Sequence, residues 1–384
     1  MNKFDNALEQ INQLKSILKH FVFNIYMKSY NNLYSILCSS ENIRLAYEKA
    51  RKGKSKNKSV IEFEKNLHVN LYNLREELMT FSYKPLHLKR FIIRDPKSRV
   101  IHASAFRDRI IHHAIINVLI LIYEKIFIYD SYASRIDKGV HQALSRFDLF
   151  KRKVSRNGKR VRSGGVRTAN SIEGYVLKCD IKHYFDTVDH EVLLSILRRK
   201  IKDENLIQLI KKVLDNFESP FKGKGMPLGN YTSQFFANVY LNELDYFVKH
   251  ILRAQCYIRY VDDFIILHRS KEVLELWKKR IENYLECLKI ELHTDKSIII
   301  PLKNGVTFLG YRVFYYCKLL RRRNTRHFKA KLAKLLDQYK SKEIKKGDLI
   351  QLLQGWFGYA KWANTYKFRQ KILKVIENIE RERV

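Results

Sequence analysis

Two adjacent carboxylates interrupt an apolar segment of the chain, YIRYVDDFII at residues 257–266. The β-branched and aromatic residues around Asp262 and Asp263 predict a strand, or two strands joined by a tight turn. Burying two unpaired carboxylates is costly because they lose their hydration. Two interpretations follow from the pair alone: solvated acids at the tip of a hairpin, or a site where cations compensate the charge.

A third acid, Asp180, ends another apolar segment, YVLKCD. Two strands can deliver Asp180 and the acid pair to one point. Two divalent ions about 4 Å apart need several carboxylates, and such a site activates a 3′-hydroxyl and stabilises a leaving pyrophosphate. The three acids therefore indicate two-metal chemistry with Mg²⁺, in which metal replaces the lost water.

The charge balance of the chain indicates a polyanionic partner. Among 384 residues, 74 Lys and Arg stand against 39 Asp and Glu, a formal charge of +35. Aromatic residues make up 12% and are interleaved with the basic ones. Nucleic acid supplies dense phosphate and bases that stack on aromatic rings, so we expect salt-sensitive nucleic-acid binding. A generally basic surface and a membrane surface are the alternatives.

The cysteines and the hydropathy pattern predict a cytoplasmic protein. Five scattered cysteines have no zinc-type spacing and are expected to be reduced thiols. No signal-like leader opens the sequence, and no apolar run approaches the ~18 residues of a spanning helix. We therefore expect no membrane partner.

Periodicity along the chain predicts mixed α and β structure. Helical spacing occurs in residues 1 to about 35 and in the basic last 60 or so residues. HLKRFIIRDPKSRVIHAS predicts a hairpin, and VTFLGYRVFYY a strand or hairpin. The basic segment 151–172 is expected to be a loop outside the core.

Several segments, in their order and spacing, resemble the motifs of reverse transcriptases from about Ser40 to about Asn364. YVDDF resembles the Y-x-D-D motif, and the other segments that resemble motifs are KCDIKHYFDTVDH, GMPLGNYTSQFFANVYLNELD, LHTDKS and FLGYRVF. The resemblance implies an RNA-directed DNA polymerase with an α+β right-hand fold. It divides the chain into an N-terminal helical extension with a basic linker (1–60), fingers (61–178), a palm with an antiparallel sheet (179–315) and a helical thumb (316–384).

The resemblance also assigns roles to residues. The metal ligands would be Asp180, Ile181 through its carbonyl, Asp262 and Asp263, which bind two Mg²⁺ ions, with Mn²⁺ as a substitute. Lys296 would join the acids in catalysis by protonating or neutralising pyrophosphate. Residues at the nucleotide would be Lys97, Arg99, Phe185 as an aromatic gate against ribose, Leu228, Gly229 and Gln234. Residues at the template or primer would be Tyr260, Ser233, Gly310, Tyr311, Arg321, Arg322 and Arg323.

Simpler roles stay open for some of these residues. Core packing is the alternative for Phe185, and a solvated basic face is the alternative for Lys97 and Arg99. His112 and His113 are adjacent on a helix and so point about 100° apart, which favours packing or phosphate contacts over metal binding.

The segments Leu228–Asn230 and Thr232–Gln234 narrow the resemblance to the reverse transcriptases of diversity-generating retroelements, since many other relatives hold Gln where this chain has Leu228. The resemblance implies error-prone copying of a template repeat. The implied partners are an RNA template, a DNA or RNA primer, deoxynucleoside triphosphates, a small basic oligomeric accessory protein and a structured RNA. We expect no maturase-like extension, HNH endonuclease or RNase H domain after Val384.

Three other functions share parts of this pattern. An antiphage defence enzyme and a CRISPR-associated reverse transcriptase would carry the same motifs. A non-catalytic RNA-binding scaffold would share the basic surface, but the intact acids at 180, 262 and 263 argue against it.

Overall fold

A computed structural model describes residues 29–94, 98–159, 172–219 and 221–381, which form helices packed around antiparallel sheets. The helices are α1 (Leu33–Leu37), α2 (Ser40–Arg51), α3 (Lys58–Glu64), α4 (Leu67–Met79), α5 (Phe106–Tyr123), α6 (Val140–Val154), α7 (Tyr184–Thr187), α8 (His190–Arg198), α9 (Glu204–Asp215), α10 (Tyr231–Tyr246), α11 (Lys271–Cys287), α12 (Arg322–Lys340), α13 (Lys346–Ala360) and α14 (Tyr366–Arg381). The strands are β1 (Lys89–Ile93), β2 (Arg99–Ala103), β3 (Tyr175–Asp180), β4 (Tyr257–Tyr260), β5 (Asp263–His268), β6 (Ile298–Pro301), β7 (Val306–Phe308), β8 (Tyr311–Val313) and β9 (Lys318–Leu320).

The central sheet has the strand order β4-β5-β3-β6, and every neighbouring pair is antiparallel. Alternate side chains point to opposite faces of a strand. One face carries Val176, Ile265 and Leu267 and packs with α6. The other carries Leu177, Phe264 and Ile266 and packs with α11. Both faces are therefore buried, which explains why these strands read as nearly continuous apolar runs.

Helix α5 forms the centre of the N-terminal half. It is apolar on nearly every side and buries twelve of its eighteen residues, as expected for a helix surrounded by protein. Helix α2 packs along it, and the buried amide of Asn42 donates to the Ala114 carbonyl at 3.2 Å. The hairpin of β1 and β2 precedes α5 and leaves all five β1 residues exposed. The predicted hairpin in this segment is confirmed.

The C-terminal helices have a core of their own. Helices α12, α13 and α14 bury a cluster that includes Phe328, Leu349 and Ile376. The rings of Phe328 and Trp356 stack with their centroids 3.6 Å apart. In sequence, a small sheet of order β7-β8-β9 follows the last strand of the central sheet and precedes these helices.

The predicted loop at 151–172 is wrong at both of its ends. Helix α6 continues to Val154, and Phe150, Val154 and Ile172 lie in the same core as the central sheet. Lys151 is buried as well, because its ammonium donates to the Phe314 carbonyl at 3.0 Å while its stem packs. Basic residues had suggested full exposure; residues 160–171 lie outside the described part of the chain.

The predicted fold class is confirmed: the protein is α+β, with an antiparallel sheet that bears the acids and a helical C-terminal unit, as in a right-hand polymerase. All five cysteines are free thiols, as predicted, and three of them are buried. In the part of the chain that is described, no helix combines the length and the apolar character needed to cross a membrane.

Candidate active site

The acid pair lies at a two-residue turn between β4 and β5. Strand β4 ends at Tyr260 and β5 begins at Asp263, so Val261 and Asp262 form the turn. Val261 has φ of 57°, which is rare for a β-branched residue. Such strained backbone is found at functional sites where the surrounding structure holds it. The tight turn predicted for this segment is confirmed.

The register of the sheet brings Asp180 to this turn. Asp180 lies directly opposite Asp263, which places the two side chains on one face, with Cβ atoms about 5 Å apart. Lys296 reaches the same point from the turn Thr294–Lys296, and its Nζ lies 3.2 Å from Oδ1 of Asp180. Ile181 is buried and forms an antiparallel bridge with Leu292. Three predicted residues, Asp180, Ile181 and Lys296, are thus assembled here with the acid pair.

The electrostatics of Asp262 reflect this crowding. Burial raises its pKa to about 6, and the charges of Asp263 and Asp180 act in the same direction, while Arg99 on β2 opposes them. The ionised form of Asp262 is therefore less favoured than that of an ordinary aspartate, and a nearby cation would favour it. Arg99 belongs to the exposed β1–β2 hairpin, and its charge lowers the pKa of Asp262.

The acids fit a divalent cation that is shared with a substrate. Within the described ranges, no three His, Cys, Asp or Glu side chains form a ready cluster for a metal ion. Mg²⁺ commonly binds through one or two carboxylates plus substrate phosphates, rather than in an all-protein cage. Asp180 and Asp263 on paired strands supply such carboxylates. The raised pKa of Asp262 reflects repulsion among the three acids, which a bound cation would relieve.

The loop before α10 is fastened to the β1–β2 hairpin. The backbone N–H of His102 donates to the Leu228 carbonyl at 2.9 Å, and the Ser104 hydroxyl donates to Asn230 Oδ1 at 2.8 Å. Gly229 has φ of 113°, and a Cβ there would lie 2.7 Å from a methyl group of Ile101. Only glycine fits this close approach. Leu228 and Gly229 therefore lie beside the strand that carries Arg99.

Phe185 is linked to the same loop. Its ring is partly buried, and its carbonyl accepts a hydrogen bond from the N–H of Met226 at 2.6 Å. Gln234 is exposed at the start of α10, where its side-chain oxygen accepts from the Ser134 hydroxyl at 3.2 Å. Ser233, next to it, is buried.

The predicted template and primer residues differ in exposure: some lie on the surface, and others are partly or completely buried. Gly310 lies at the β7–β8 turn, and Arg321, Arg322 and Arg323 are exposed around the start of α12. Tyr311 is completely buried, and its hydroxyl donates to the Tyr359 carbonyl at 2.8 Å, so its ring packs inside the protein. Tyr260 is partly buried beside the acids.

Two remaining predictions concern other places. Lys97 lies outside the described residues. The predicted packing of the histidines is confirmed, since His112 is buried against the Thr232 hydroxyl and the ring of His113 lies 4.8 Å from that of Tyr231.

Residues 93–313, more than half of the chain, match the family described as "Reverse transcriptase (RNA-dependent DNA polymerase)". The chain belongs to the reverse transcriptase family. It is thereby an enzyme of the RNA-directed DNA polymerase class.

Two curated relatives extend the match of this reverse transcriptase. Protein YkfC of Escherichia coli (strain K12) is 28% identical over 320 residues, which cover 72% of this chain and 78% of YkfC. The group II intron-encoded protein LtrA of Lactococcus lactis subsp. cremoris is 26% identical over 381 residues, covering 80% of this chain. The aligned part is only 58% of LtrA.

Among solved structures, the chain is similar to apo telomerase from Candida tropicalis truncated from its C-terminal domain. It has a TM-score of 0.46 and 15% sequence identity, and the match covers 64% of this chain and 59% of that one.

The sequence predictions missed a charged residue of this reverse transcriptase that lies directly under the acid turn. Arg259 is completely buried, and its guanidinium contacts Asp245, Asn238 and the Val261 carbonyl. The signal was present, because an arginine inside an apolar strand needs a buried partner as much as an aspartate does.

Proposed function

We propose that this reverse transcriptase synthesises cDNA on an RNA template from deoxynucleoside triphosphates by two-metal nucleotidyl transfer. The observation that carries the proposal is the meeting of Asp180, Asp262 and Asp263 at one point of an antiparallel sheet, in a chain of this family. We further propose that residues 61–178, 179–315 and 316–384 act as fingers, palm and thumb, after the N-terminal segment 1–60.

Asp180, Asp262 and Asp263 would hold two Mg²⁺ ions, together with the carbonyl of Ile181. Bound there, the metal supplies Lewis-acid activation of the primer 3′-hydroxyl and charge stabilisation of the leaving pyrophosphate. Mn²⁺ has the same oxygen preference and would substitute. Because the pKa of Asp262 is raised to about 6, its carboxyl would carry a proton below about pH 6, and a cation held there at such a pH would displace that proton.

Lys296 would neutralise or protonate the departing pyrophosphate. Its ammonium is half exposed and pairs with Asp180 in this state. A solvated Lys–Asp pair is weak, so the ammonium is free to move to a phosphate oxygen when substrate arrives. Its other role would be to offset the charge of Asp180 before metal binds.

The nucleotide would lie between the acids and the β1–β2 hairpin. Arg99 is exposed there and is suited to grip triphosphate oxygens, with Lys97 as a second cation. Phe185 would exclude the ribose 2′-hydroxyl by volume. Leu228, Gly229 and Gln234 would line the base and sugar side, where Gly229 allows the loop to approach the hairpin closely.

The template and primer would pass the β7–β8 turn at Gly310 and the start of α12. A cavity of about 760 Å³ lies beside that helix, lined by Arg94, Arg323, His327 and Trp356 among others. Its mixture of cations and aromatic rings suits a nucleic-acid backbone with bases. Tyr260 and the three exposed arginines at 321–323 would contact the same substrate, and Ser233 and Tyr311 would support its binding site from within the core.

The biological setting that we propose is a diversity-generating retroelement, in which a structured RNA carries the template and a small basic accessory protein assists. Its support is the apolar Leu228 in a loop whose carbonyl is bound to the hairpin. Leucine cannot hydrogen-bond to a base, and the loss of a polar contact at this place would relax base selection. The expected errors are misincorporations opposite template adenine.

The test is primer extension on a defined RNA template with Mg²⁺, comparing the protein with Asp262→Ala and sequencing the products. Extension that the variant loses, with errors concentrated at template adenines, supports both the polymerase and the retroelement assignment. Accurate extension keeps the polymerase and favours an antiphage or CRISPR-associated setting. No extension by either protein points to a missing RNA or protein partner, or to the RNA-binding scaffold.

Leu228 itself is tested by Leu228→Gln, which restores an amide. We expect fewer errors opposite adenine at a similar extension rate. The matched control is Leu121→Gln, since Leu121 is 70% exposed on α5. An unchanged error spectrum in Leu228→Gln would contradict the proposed role.

A further inference from the structure

Arg259 forms a fully buried network at the end of β4. Its Nε and Nη2 donate to the two carboxylate oxygens of Asp245 at 2.7 and 2.6 Å. Its Nη1 donates to Asn238 Oδ1 at 3.0 Å and to the Val261 carbonyl at 3.1 Å. Both members of the ion pair have side chains with no exposed surface. The guanidinium thus ties helix α10, which carries Asp245 and Asn238, to the acid turn.

The network lies on the face of the sheet opposite to Asp263. Strand pairing places Arg259 opposite Phe264, and it shares a face with Tyr257, whose hydroxyl also donates to Asp245 at 2.7 Å. Asp263, one residue from Phe264, points to the other face. Arg259 therefore does not reach the substrate side; its contact with the acid turn is through the Val261 carbonyl.

The backbone of Arg259 is fixed as firmly as its side chain. Its N–H donates to the Asp130 carbonyl, and its own carbonyl accepts from the N–H of Tyr132, both at 3.0 Å. Because β4 is bound on both sides and Asp245 holds the guanidinium, Nη1 of Arg259 is fixed in one position. That donor in turn fixes the peptide between Val261 and Asp262.

The Val261 backbone requires such support. A valine with φ of 57° is unfavourable by itself, and the peptide that follows it carries Asp262 directly. Strained residues persist only where their surroundings determine the conformation. The Arg259 guanidinium supports this backbone through its hydrogen bond to the Val261 carbonyl.

We propose that Arg259, held by Asp245 and Asn238, is a positioning residue that fixes the acid turn from beneath so that Asp262 and Asp263 are aligned before substrate binds. This inference rests on the proposed function, because it is measured through nucleotide addition. It predicts that the network governs the rate of the chemical step, and not only the stability of the fold.

A purely structural role makes a different prediction. Removing one partner of a buried ion pair leaves an uncompensated charge and destabilises the fold, whereas replacing both partners with apolar residues of similar volume is often neutral. The double variant Arg259→Met with Asp245→Leu, made together with Tyr257→Phe so that no buried hydroxyl loses its acceptor, therefore separates the two roles. It keeps a packed interior but offers the Val261 carbonyl no donor.

The experiment is single-turnover addition of one nucleotide to a primer on an RNA template with Mg²⁺, alongside thermal unfolding. The amplitude reports the fraction of folded, bound enzyme, and the rate constant reports the chemistry. We expect the double variant to unfold within a few degrees of the unmodified protein, with a similar amplitude and a rate constant lower by roughly 10- to 100-fold, as a small misplacement of reacting groups produces.

A second variant covers the case in which the double variant does not fold. Arg259→Lys keeps a charge for Asp245, but a single ammonium cannot reproduce the guanidinium fork that reaches Asp245 and Val261 together. It should again lower the rate constant more than the amplitude. The matched control is Arg198→Lys, which makes the same change in the Arg198–Glu204 pair between α8 and α9 and should leave the rate constant unchanged.

The outcomes decide the matter. A folded variant at position 259 with an unchanged rate constant, or with only its amplitude reduced, overturns the proposal and leaves Arg259 a structural residue. Absence of extension by the unmodified protein would instead be a failure of the proposed polymerase function. The two failures are therefore distinguishable in the same assay.

Discussion

Two turns in this reverse transcriptase hold residues at positive φ, and they are stabilised in opposite ways. The acid turn contains Val261 at φ of 57° and is bound from below by the buried Arg259–Asp245 pair. The β7–β8 turn contains Leu309 and Gly310, at φ of 48° and 87°. It is held by neutral hydrogen bonds, in which the Tyr359 hydroxyl donates to the Gly310 carbonyl at 2.8 Å.

The difference lies in which elements each turn is attached to. The partners of the acid turn come from α10, which belongs to the same core as the central sheet. Tyr359 instead comes from α13, and Asn324 of α12 donates to its hydroxyl at 2.9 Å. The acid turn is thus fixed inside one rigid core, whereas the glycine turn is coupled to the C-terminal helices. A turn proposed to carry chemistry needs fixed geometry, and a turn proposed to contact a primer benefits from following the helices that hold it.

The largest expected effect is at the acid turn itself. Asp180→Ala removes a carboxylate opposite Asp263. Primer extension should fall roughly a thousandfold, because the proposed metal ions that stabilise the charge of the transition state lose one of their ligands. Initial rates of extension at saturating nucleotide measure this. Asp295→Ala, an exposed acid one residue before Lys296, serves as the control and should keep its rate. Equal losses in both variants would contradict a special role for Asp180.

The second prediction concerns the electrostatic strain of the acid turn. The pKa of Asp262 is raised to about 6 in the folded state, so the folded protein binds this proton more tightly than the unfolded chain. The associated stability is present below about pH 4 and is lost as pH rises through 6. In EDTA at pH 7.5, Asp262→Asn should therefore be more stable by about 1–3 kcal/mol.

Denaturant unfolding at pH 4 and pH 7.5 tests this sign. The gain from Asp262→Asn should shrink at pH 4, where the carboxyl of the unmodified protein is already protonated. Asp295→Asn, at an exposed position, should show no such pH dependence. A gain of the same size at both pH values would mean that ionisation of Asp262 is not the cause.

The glycine turn should lose stability rather than chemistry. Gly310→Ala places a side chain at φ of 87°, with its Cβ 3.0 Å from the Tyr359 hydroxyl. We expect a loss of about 1–2 kcal/mol in unfolding free energy, with single-turnover rates within severalfold of the original. Gly53→Ala is the control, since φ there is 70° but no atom lies within 4 Å of the added Cβ. A smaller loss at Gly53 isolates the contact with Tyr359.

The smallest effect should come from the hydroxyl of Tyr359. Tyr359→Phe deletes the hydrogen bonds to Gly310 and Asn324, which should cost about 1 kcal/mol of stability. Tyr316→Phe is the control and should be neutral, because Tyr316 is 69% exposed. If Tyr359→Phe lowered the single-turnover rate as strongly as the Arg259 variants, the contrast between the two turns would fail.

Much of the site could be predicted from residue type and order. The acids at 180, 262 and 263 stand out because carboxylates in apolar strands need compensation, and the hairpins at 89–103 and 306–313 follow from alternation and turn residues. The loop expected at 151–172 failed at its ends because basic residues were taken as exposed, while Lys151 is buried with its ammonium hydrogen-bonded to a carbonyl. Tyr311 matched a motif for primer contact, yet its complete burial is a property of packing that no motif records.

The sequence by itself determined the chemistry of this protein: three acids in apolar strands, a surplus of cations for a phosphate polymer, and motif order typical of reverse transcriptases. Only the tertiary structure decided which residues hold those acids in place. Arg259, Asp245 and Asn238 come from a strand and a helix, and Tyr359 lies 49 residues beyond the turn that it binds. Their partnerships depend on the packing of α10 and α13 against the sheets, and local sequence carries no direct record of contacts made across such distances.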